Sequence, residues 1–147
     1  MFKKRKTIKQ VEEGNELAPK FDQNGFIPVV TTDAKSGVVL MHAYMNEEAL
    51  KKTIATKEAH YYSRSRKCLW HKGATSGLVQ DVKNIYIDDD QDCVWLNVIV
   101  RGEASCHVGY KSCFYREIDI NSKQLELKFI EDELSLIHIS EPTRPTP

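Results

Sequence analysis

The chain carries no net charge, its 21 Lys and Arg residues being balanced by 21 Asp and Glu. No global field therefore draws it to nucleic acid or to an anionic membrane. It has no run of about 18 apolar residues, so no stretch reads as a bilayer-spanning helix. The basic start "MFKKRKTIKQ" is followed by "VEEGNELAPKF" rather than by an apolar stretch, which argues against a secretory signal. Paired C-x₂-C knuckles, a Walker loop, and the H-x-E and P-C-x-x-C signatures of zinc deaminases are also missing. What is present is an ordinary globular composition, 147 residues at 41% hydrophobic and 29% charged, enough for one domain with a core. The cytoplasm is the expected location, where the four cysteines would be thiols or metal ligands.

Residues 1–20 read as a polar, aperiodic arm. "FIPVV" and "VVLMHAYM" flank the turn formers of "TTDAKSG" and predict a hairpin. "MNEEALKKTIATKEAH" reads as a short helix: Asn46 caps it, Glu47 and Glu48 sit at the positive end of its dipole, and Met45 with Leu50 has hydrophobic-staple spacing. "HYYSRSR" and "KCLWHKG" look extended, "GATSG" is a loop, and "LVQDVKNIYIDDD" and "CVWLNVIVRG" are two more strands. In the last of these, Val94, Leu96, Val98 and Val100 alternate along one face. Strands, one helix and further strands predict an α+β domain over residues 21–133 with a mainly antiparallel sheet. "LSLIHISEPTR", Leu134 to Arg144, resembles the in-frame translation of a transposase sequencing adapter. Residues 134–147 are accordingly read as a non-native tail, His138 enters no site, and the natural protein's own end is left open.

Three segments carry chemistry. Asp88, Asp90 and Asp92 stand at i, i+2 and i+4, which in an extended segment puts them on one face roughly 6–7 Å apart. Like charges so crowded favour a bound hard cation or raised pKa values, where a bland reading would have a solvated acidic turn. An EF-hand is excluded, because its glycine and glutamate would fall on Cys93 and Ile99. Mg²⁺ fits better, since it takes one or two carboxylates, its own waters and a substrate phosphate. The second segment, "ASCHVGYKSCFYRE", holds Cys106 and Cys113 with His107 beside the first. Its thiolates suit Zn²⁺, for which a catalytic site needs three protein ligands and a water, and His107 could serve as a general base. The bland alternative is two buried thiols; Cys68, far upstream, is read as packing. In the third, "SRSRKCLWHKGATSG", Arg64, Arg66 and Lys72 supply cations while Thr75 and Ser76 supply hydroxyls between Gly73 and Gly77, a combination that can cradle a phosphate.

Taken in order, "MHAYMNEEAL", "SRSRKCLWHKGATSG", the Asp88–Asp92 cluster and "SCHVGYKSCFYR" resemble the phosphoribosyl-AMP cyclohydrolase family of histidine biosynthesis, over about Phe21 to Glu117. The resemblance implies a homodimeric, zinc-dependent hydrolase that needs Mg²⁺, with active sites at the subunit interface. Its substrate would be phosphoribosyl-AMP, whose adenine ring opens between N1 and C6. Carried over by motif position, Mg²⁺ falls to Asp88, Asp90 and Asp92, and zinc to Cys106 and Cys113. Arg64, Arg66, Lys72, Thr75 and Ser76 become candidates for phosphate and ribose contacts, and His107 for proton transfer. The commoner family pattern reads Asp-Cys-Asp-x-Asp; this chain has Asp89 where the third thiolate would stand, and its cysteine comes four residues later at Cys93. The third zinc ligand is thus Cys93 or Asp89, with Cys93 preferred because a thiolate-rich site selects soft ligands. The resemblance leaves open a continuation into a fused phosphoribosyl-ATP pyrophosphohydrolase domain.

Two other readings compete. A zinc hydrolase or deaminase of another purine nucleotide would share the metal chemistry but lacks its signatures here. A structural-zinc module binding RNA through the basic arm would need a closed four-ligand site and a basic surface, against a neutral chain.

Overall fold

The computed structural model describes residues 2–102 and 112–130. Ten elements follow in order: α1 (Ile8–Glu13), β1 (Ile27–Asp33), β2 (Val39–Met45), α2 (Glu47–Thr56), β3 (His60–Ser63), β4 (Cys68–His71), β5 (Gln80–Ile87), β6 (Val94–Val100), β7 (Arg116–Ile118) and β8 (Leu127–Phe129). The main sheet has the order β2-β1-β6-β5, and β3–β4 and β7–β8 form separate two-stranded ribbons. All pairings are antiparallel except β1 with β6 at the centre, which is parallel, with Val29 opposite Val94 and Asp33 opposite Val98. The α+β class and the mainly antiparallel sheet are as expected. The parallel centre was not foreseen, because it joins strands that local patterning treats independently.

One face of the sheet is buried. Ile27, Val29 and Thr31 of β1 alternate inward beside Val94, Leu96 and Val98 of β6, all essentially without solvent contact. Helix α2 packs against β2 and β3 and buries Ala49, Leu50 and Thr53, the first two in the same core. Its start is as the sequence foretold: the Asn46 side chain accepts the Ala49 N–H at 2.8 Å, a cap worth about 1 kcal/mol. Met45 and Leu50, the staple pair, are both in the core. Lys57 ends the helix in the left-handed region at φ 61°. Thr53 then stitches helix to strand, its hydroxyl donating to the Ala49 carbonyl and accepting the His60 N–H.

The arm has structure of its own. Thr7 and Gln10 form a reciprocal capping box at the start of α1, and Val11 and Ala18 are buried. Among the described residues no element covers the opposite face of the sheet, which carries His42, Tyr86 and Trp95 exposed, with Tyr86 and Trp95 4.6 Å apart between ring centroids. Among the described residues no helix is long and apolar enough to cross a membrane.

Candidate active site

The segment Asp88–Cys93 joins β5 to β6 and is coiled, not extended. The Asp88 N–H donates to the Cys93 carbonyl at 3.1 Å, and the Gln91 N–H to the Asp88 carbonyl at 3.0 Å. Inside the loop, the Asp88 carboxylate accepts the backbone N–H groups of Asp92 and Cys93 at 2.9 and 3.1 Å. This corrects the expected strand-like spacing. A short acidic side chain offers nearby N–H groups an acceptor that competes with the sheet ladder, and the chain turns around it.

The turn brings the carboxylates together. Donor atoms of Asp88, Asp89 and Asp90 lie within 4.8 Å of one another. Asp92 is pushed up to about 6, first by its hydrogen bond with Asp90, then by burial and by Asp88. For Asp88, burial works against ionisation but is outweighed by hydrogen bonds from the Asp92 and Cys93 backbone and from the side chains of Asp92 and Asp90, which hold it below its usual value. Among the described residues no lysine or arginine pairs with Asp88, Asp89, Asp90 or Asp92. Converging oxygen donors without a cationic partner suit a hard divalent ion.

Cys93 closes the turn, half-buried, its thiol pushed up by burial and then by Asp88, Asp92 and Asp90. Cys113 is exposed and sits elsewhere. Its N–H donates to the Leu40 carbonyl at 2.7 Å, while the Ser112 hydroxyl donates to Val39 at 2.6 Å, so both are fastened to the start of β2. Cys106 and His107 lie outside the described residues, as does the 134–147 tail. In the register Val39 stands opposite Thr32, and Thr32 opposite Asn97, whereas the acidic turn leads into Val94. Cys113 is therefore fastened two strand spacings from β6, roughly 10 Å, and between two and three residues further along it, roughly another 7–10 Å. The structure does not bring Cys113 to Cys93 or Asp89 within one chain.

The basic residues divide the same way. Arg64 and Arg66 belong to the tip of the β3–β4 hairpin, where Arg64 lies 3.8 Å over the Tyr44 ring. Tyr44 is opposite Pro28, next to the Val29–Val94 pair, so this tip stands at the acidic end of the sheet. Lys72, Thr75 and Ser76 belong to the loop after β4, at the other end. The Lys72 N–H is held by the Ala59 carbonyl at 3.1 Å, and the Ser76 hydroxyl accepts the Leu78 N–H at 3.2 Å. Gly73, at φ 87°, presses its Cα against the returning chain, where a Cβ would stand 2.3 Å from the Val79 nitrogen. Only glycine fits there.

Comparison with known proteins agrees with these motifs. A family model described as phosphoribosyl-AMP cyclohydrolase matches residues 41–115. A protein of that name from Rhodopseudomonas palustris strain TIE-1 is 59% identical over 109 residues, 74% of this chain and 72% of its own. Another from Rhizobium rhizogenes strain K84 is 48% identical over 126 residues, 85% of each chain. The chain belongs to the phosphoribosyl-AMP cyclohydrolase family.

The cyclohydrolase match runs from β2 to Tyr115 and takes in the basic hairpin, the glycine loop, the acidic turn and both downstream cysteines. Sequence reasoning missed three groups around these parts. Tyr61, fully buried, donates its hydroxyl to Gln80 Oε1 at 2.6 Å and accepts from Thr31 at 2.7 Å, while the Gln80 amide reaches the Met41 sulfur at 3.3 Å. Burial raises the Tyr61 phenol far above its usual value, so it stays neutral. Glu58 binds both His71 and Arg101, and Arg101 also grips Asp81. Gln91, in the middle of the acidic run, anchors the arm. Only the last had a signal: an amide inside a run of carboxylates is a residue with a separate task.

Proposed function

We propose that this chain hydrolyses the N1–C6 bond of the adenine ring of 1-(5-phosphoribosyl)-AMP, a cytoplasmic step of histidine biosynthesis, as a zinc- and magnesium-dependent homodimer. Asp88, Asp90 and Asp92 would hold Mg²⁺ against the phosphate-bearing arms of the substrate. Cys106, Cys113 and Cys93, or Asp89 in place of Cys93, would hold zinc. When bound, zinc supplies Lewis acidity that brings a water's pKa towards about 7. His107 takes the proton of the water attacking C6 and returns it to the departing N1, so that one group serves as base and then as acid. Arg64, Arg66, Lys72, Thr75 and Ser76 orient the substrate through charge-assisted hydrogen bonds to phosphate and ribose.

The observation that carries this reading is the acidic turn, whose converging carboxylates have no cationic partner among the described residues. The distance between Cys113 and that turn supports a shared site, in which one copy supplies the carboxylates with Cys93 or Asp89 and its partner supplies Cys106 and Cys113. An uncovered aromatic sheet face is the kind of surface a second copy would bury. Partners are then the small-molecule substrate and a second copy, with no nucleic acid or membrane. The test is incubation with phosphoribosyl-AMP, Mg²⁺ and Zn²⁺ while the absorbance of the purine is followed. Ring opening is expected. Metal-loaded protein that leaves phosphoribosyl-AMP unchanged would refute the assignment.

A further inference from the structure

We propose that Gln91 is a positioning residue that couples docking of the N-terminal arm to cation binding at the acidic turn; this rests on the reading of that turn as a Mg²⁺ site. Gln91 is the residue of the aspartate run that points away from the carboxylates. It sits in the left-handed region at φ 57° and is 5% exposed. Its side-chain oxygen accepts the Ala18 N–H at 2.8 Å, and its amide donates to the carbonyls of Val11 at 2.9 Å and Glu16 at 3.1 Å. Its backbone carbonyl accepts the Lys20 N–H at 2.7 Å, and its N–H goes to the Asp88 carbonyl. A single residue thus ties the arm to the aspartate around which the turn is coiled.

A groove of about 360 Å³ separates the two parts, with Glu12 and Glu16 on the arm side and Asp88 and Asp89 on the turn side. The Gln91 hydrogen bonds hold the two walls of the groove together and fix the turn in its coiled form. An ion that needs the coiled turn therefore favours the docked arm. A docked arm in turn spares the ion the cost of ordering the turn. Linkage makes the effect reciprocal: the factor by which a docked arm strengthens cation binding is the factor by which the cation favours docking.

The experiment uses the full-length, zinc-loaded chain, with Mn²⁺ as a spectroscopic probe of the turn and trypsin at Lys3, Lys4, Arg5, Lys6 and Lys9 as a probe of the arm. In the wild type, Mn²⁺ is expected to slow cleavage of the arm. Gln91→Glu keeps the shape of the side chain but loses both donors to Val11 and Glu16. Its arm should be cut several-fold faster and its Mn²⁺ affinity should fall by about tenfold, with zinc content unchanged. Gln91→Asn tolerates the left-handed backbone but is too short to reach the arm, so it should show the same pair of losses. Rapid arm cleavage with wild-type Mn²⁺ affinity would overturn the coupling. So would Mn²⁺ that binds the wild type without protecting its arm, an outcome independent of how the variants fold. A wild type that binds no Mn²⁺ at all would instead remove the cation site itself, and the coupling with it.

Discussion

His60 and His71 lie face to face in the β3–β4 ribbon, with ring centroids 4.4 Å apart and planes 8° from parallel. Their partners differ. The His60 ring bonds the Glu58 backbone carbonyl, whereas His71 bonds the Glu58 carboxylate, both at 2.8 Å. Burial pushes His60 below its usual pKa. Glu58 is also lowered, first by the hydrogen bond from His71 and then by that from Arg101.

The sign of the resulting pH dependence follows. Both groups have depressed values in the fold, so the unfolded chain takes up protons first as the pH falls. Stability from Glu58 is present at neutral pH and lost below about 4.3, as pH passes through its folded value. The difference in Tm between wild type and Glu58→Gln should therefore be largest near neutrality and vanish in acid. Relative to His60→Gln, the wild type should lose stability from about pH 6.5 downward. Paired differences are the right measure, because Asp92, with its raised value, titrates in the opposite sense. A Glu58→Gln difference that grows in acid would refute the assignment of that carboxylate as the ionised partner.

Cys113→Ser and Asp90→Ala should fail in different ways. The serine variant should lose zinc and all turnover, since a neutral hydroxyl is a poor zinc ligand. The alanine variant should keep zinc and require far more Mg²⁺. Mixed and reassembled, the two inactive proteins should recover about a quarter of wild-type activity, because half the dimers are hybrids with one intact shared site. No recovery from a mixture shown to exchange subunits would place each site within a single chain.

Zinc per subunit in Cys93→Ala and Asp89→Ala separates the two candidates for the third ligand. Asp89 is drawn into the carboxylate group with Asp88 and Asp90, which leaves Cys93 as the soft donor. Its thiol is pushed up by burial and by Asp88, so its thiolate needs a cation beside it. Cys93→Ala is expected to lose zinc and Asp89→Ala to retain it. The reverse result would make Asp89 the ligand.

Gly73→Ala and Gly77→Ala form a matched pair. Both glycines have positive φ, but an added Cβ at Gly77 meets nothing within 4 Å, whereas at Gly73 it meets backbone. Gly77→Ala should cost about 1 kcal/mol, the left-handed penalty alone. Gly73→Ala should cost several times that, because the loop carrying Thr75 and Ser76 must move off Leu78 and Val79, and KM for phosphoribosyl-AMP should rise. Equal Tm shifts would mean that the close approach at Gly73 relaxes freely.

What could be read from the sequence was what is decided locally. Asn46, Glu47 and Leu50 announced α2 because caps and staples are set within a few residues, and β6 was visible in the alternation of Val94, Leu96 and Val98. The three chemical segments were picked out by residue type; in the acidic one the converging donors are those of Asp88, Asp89 and Asp90, so the i, i+2, i+4 spacing named two of the three. The shape of that segment was not legible, since Asp88 turns the backbone by hydrogen bonds that a strand pattern does not record. The role of Gln91 was out of reach for another reason: its partners lie 73 to 80 residues away. The capping box of α1 was within reach, as Thr7-x-x-Gln10 is a helix-start signature, but it was masked by the run of basic residues around it.

The parallel pairing of β1 with β6 also governs how the chain must assemble. β1–β2 and β5–β6 are hairpins closed by short loops, so each can zip soon after it is made. The seam between them, Val29 against Val94, spans a loop of more than sixty residues, whose closure entropy is charged before any core contact repays it. Neither hairpin alone buries its apolar face, and a nascent chain cannot complete the sheet until β6 has been synthesised. The seam at the centre of the sheet can therefore close only after both hairpins exist, and conditions that slow the joining of its halves leave two apolar half-sheets exposed to neighbouring chains.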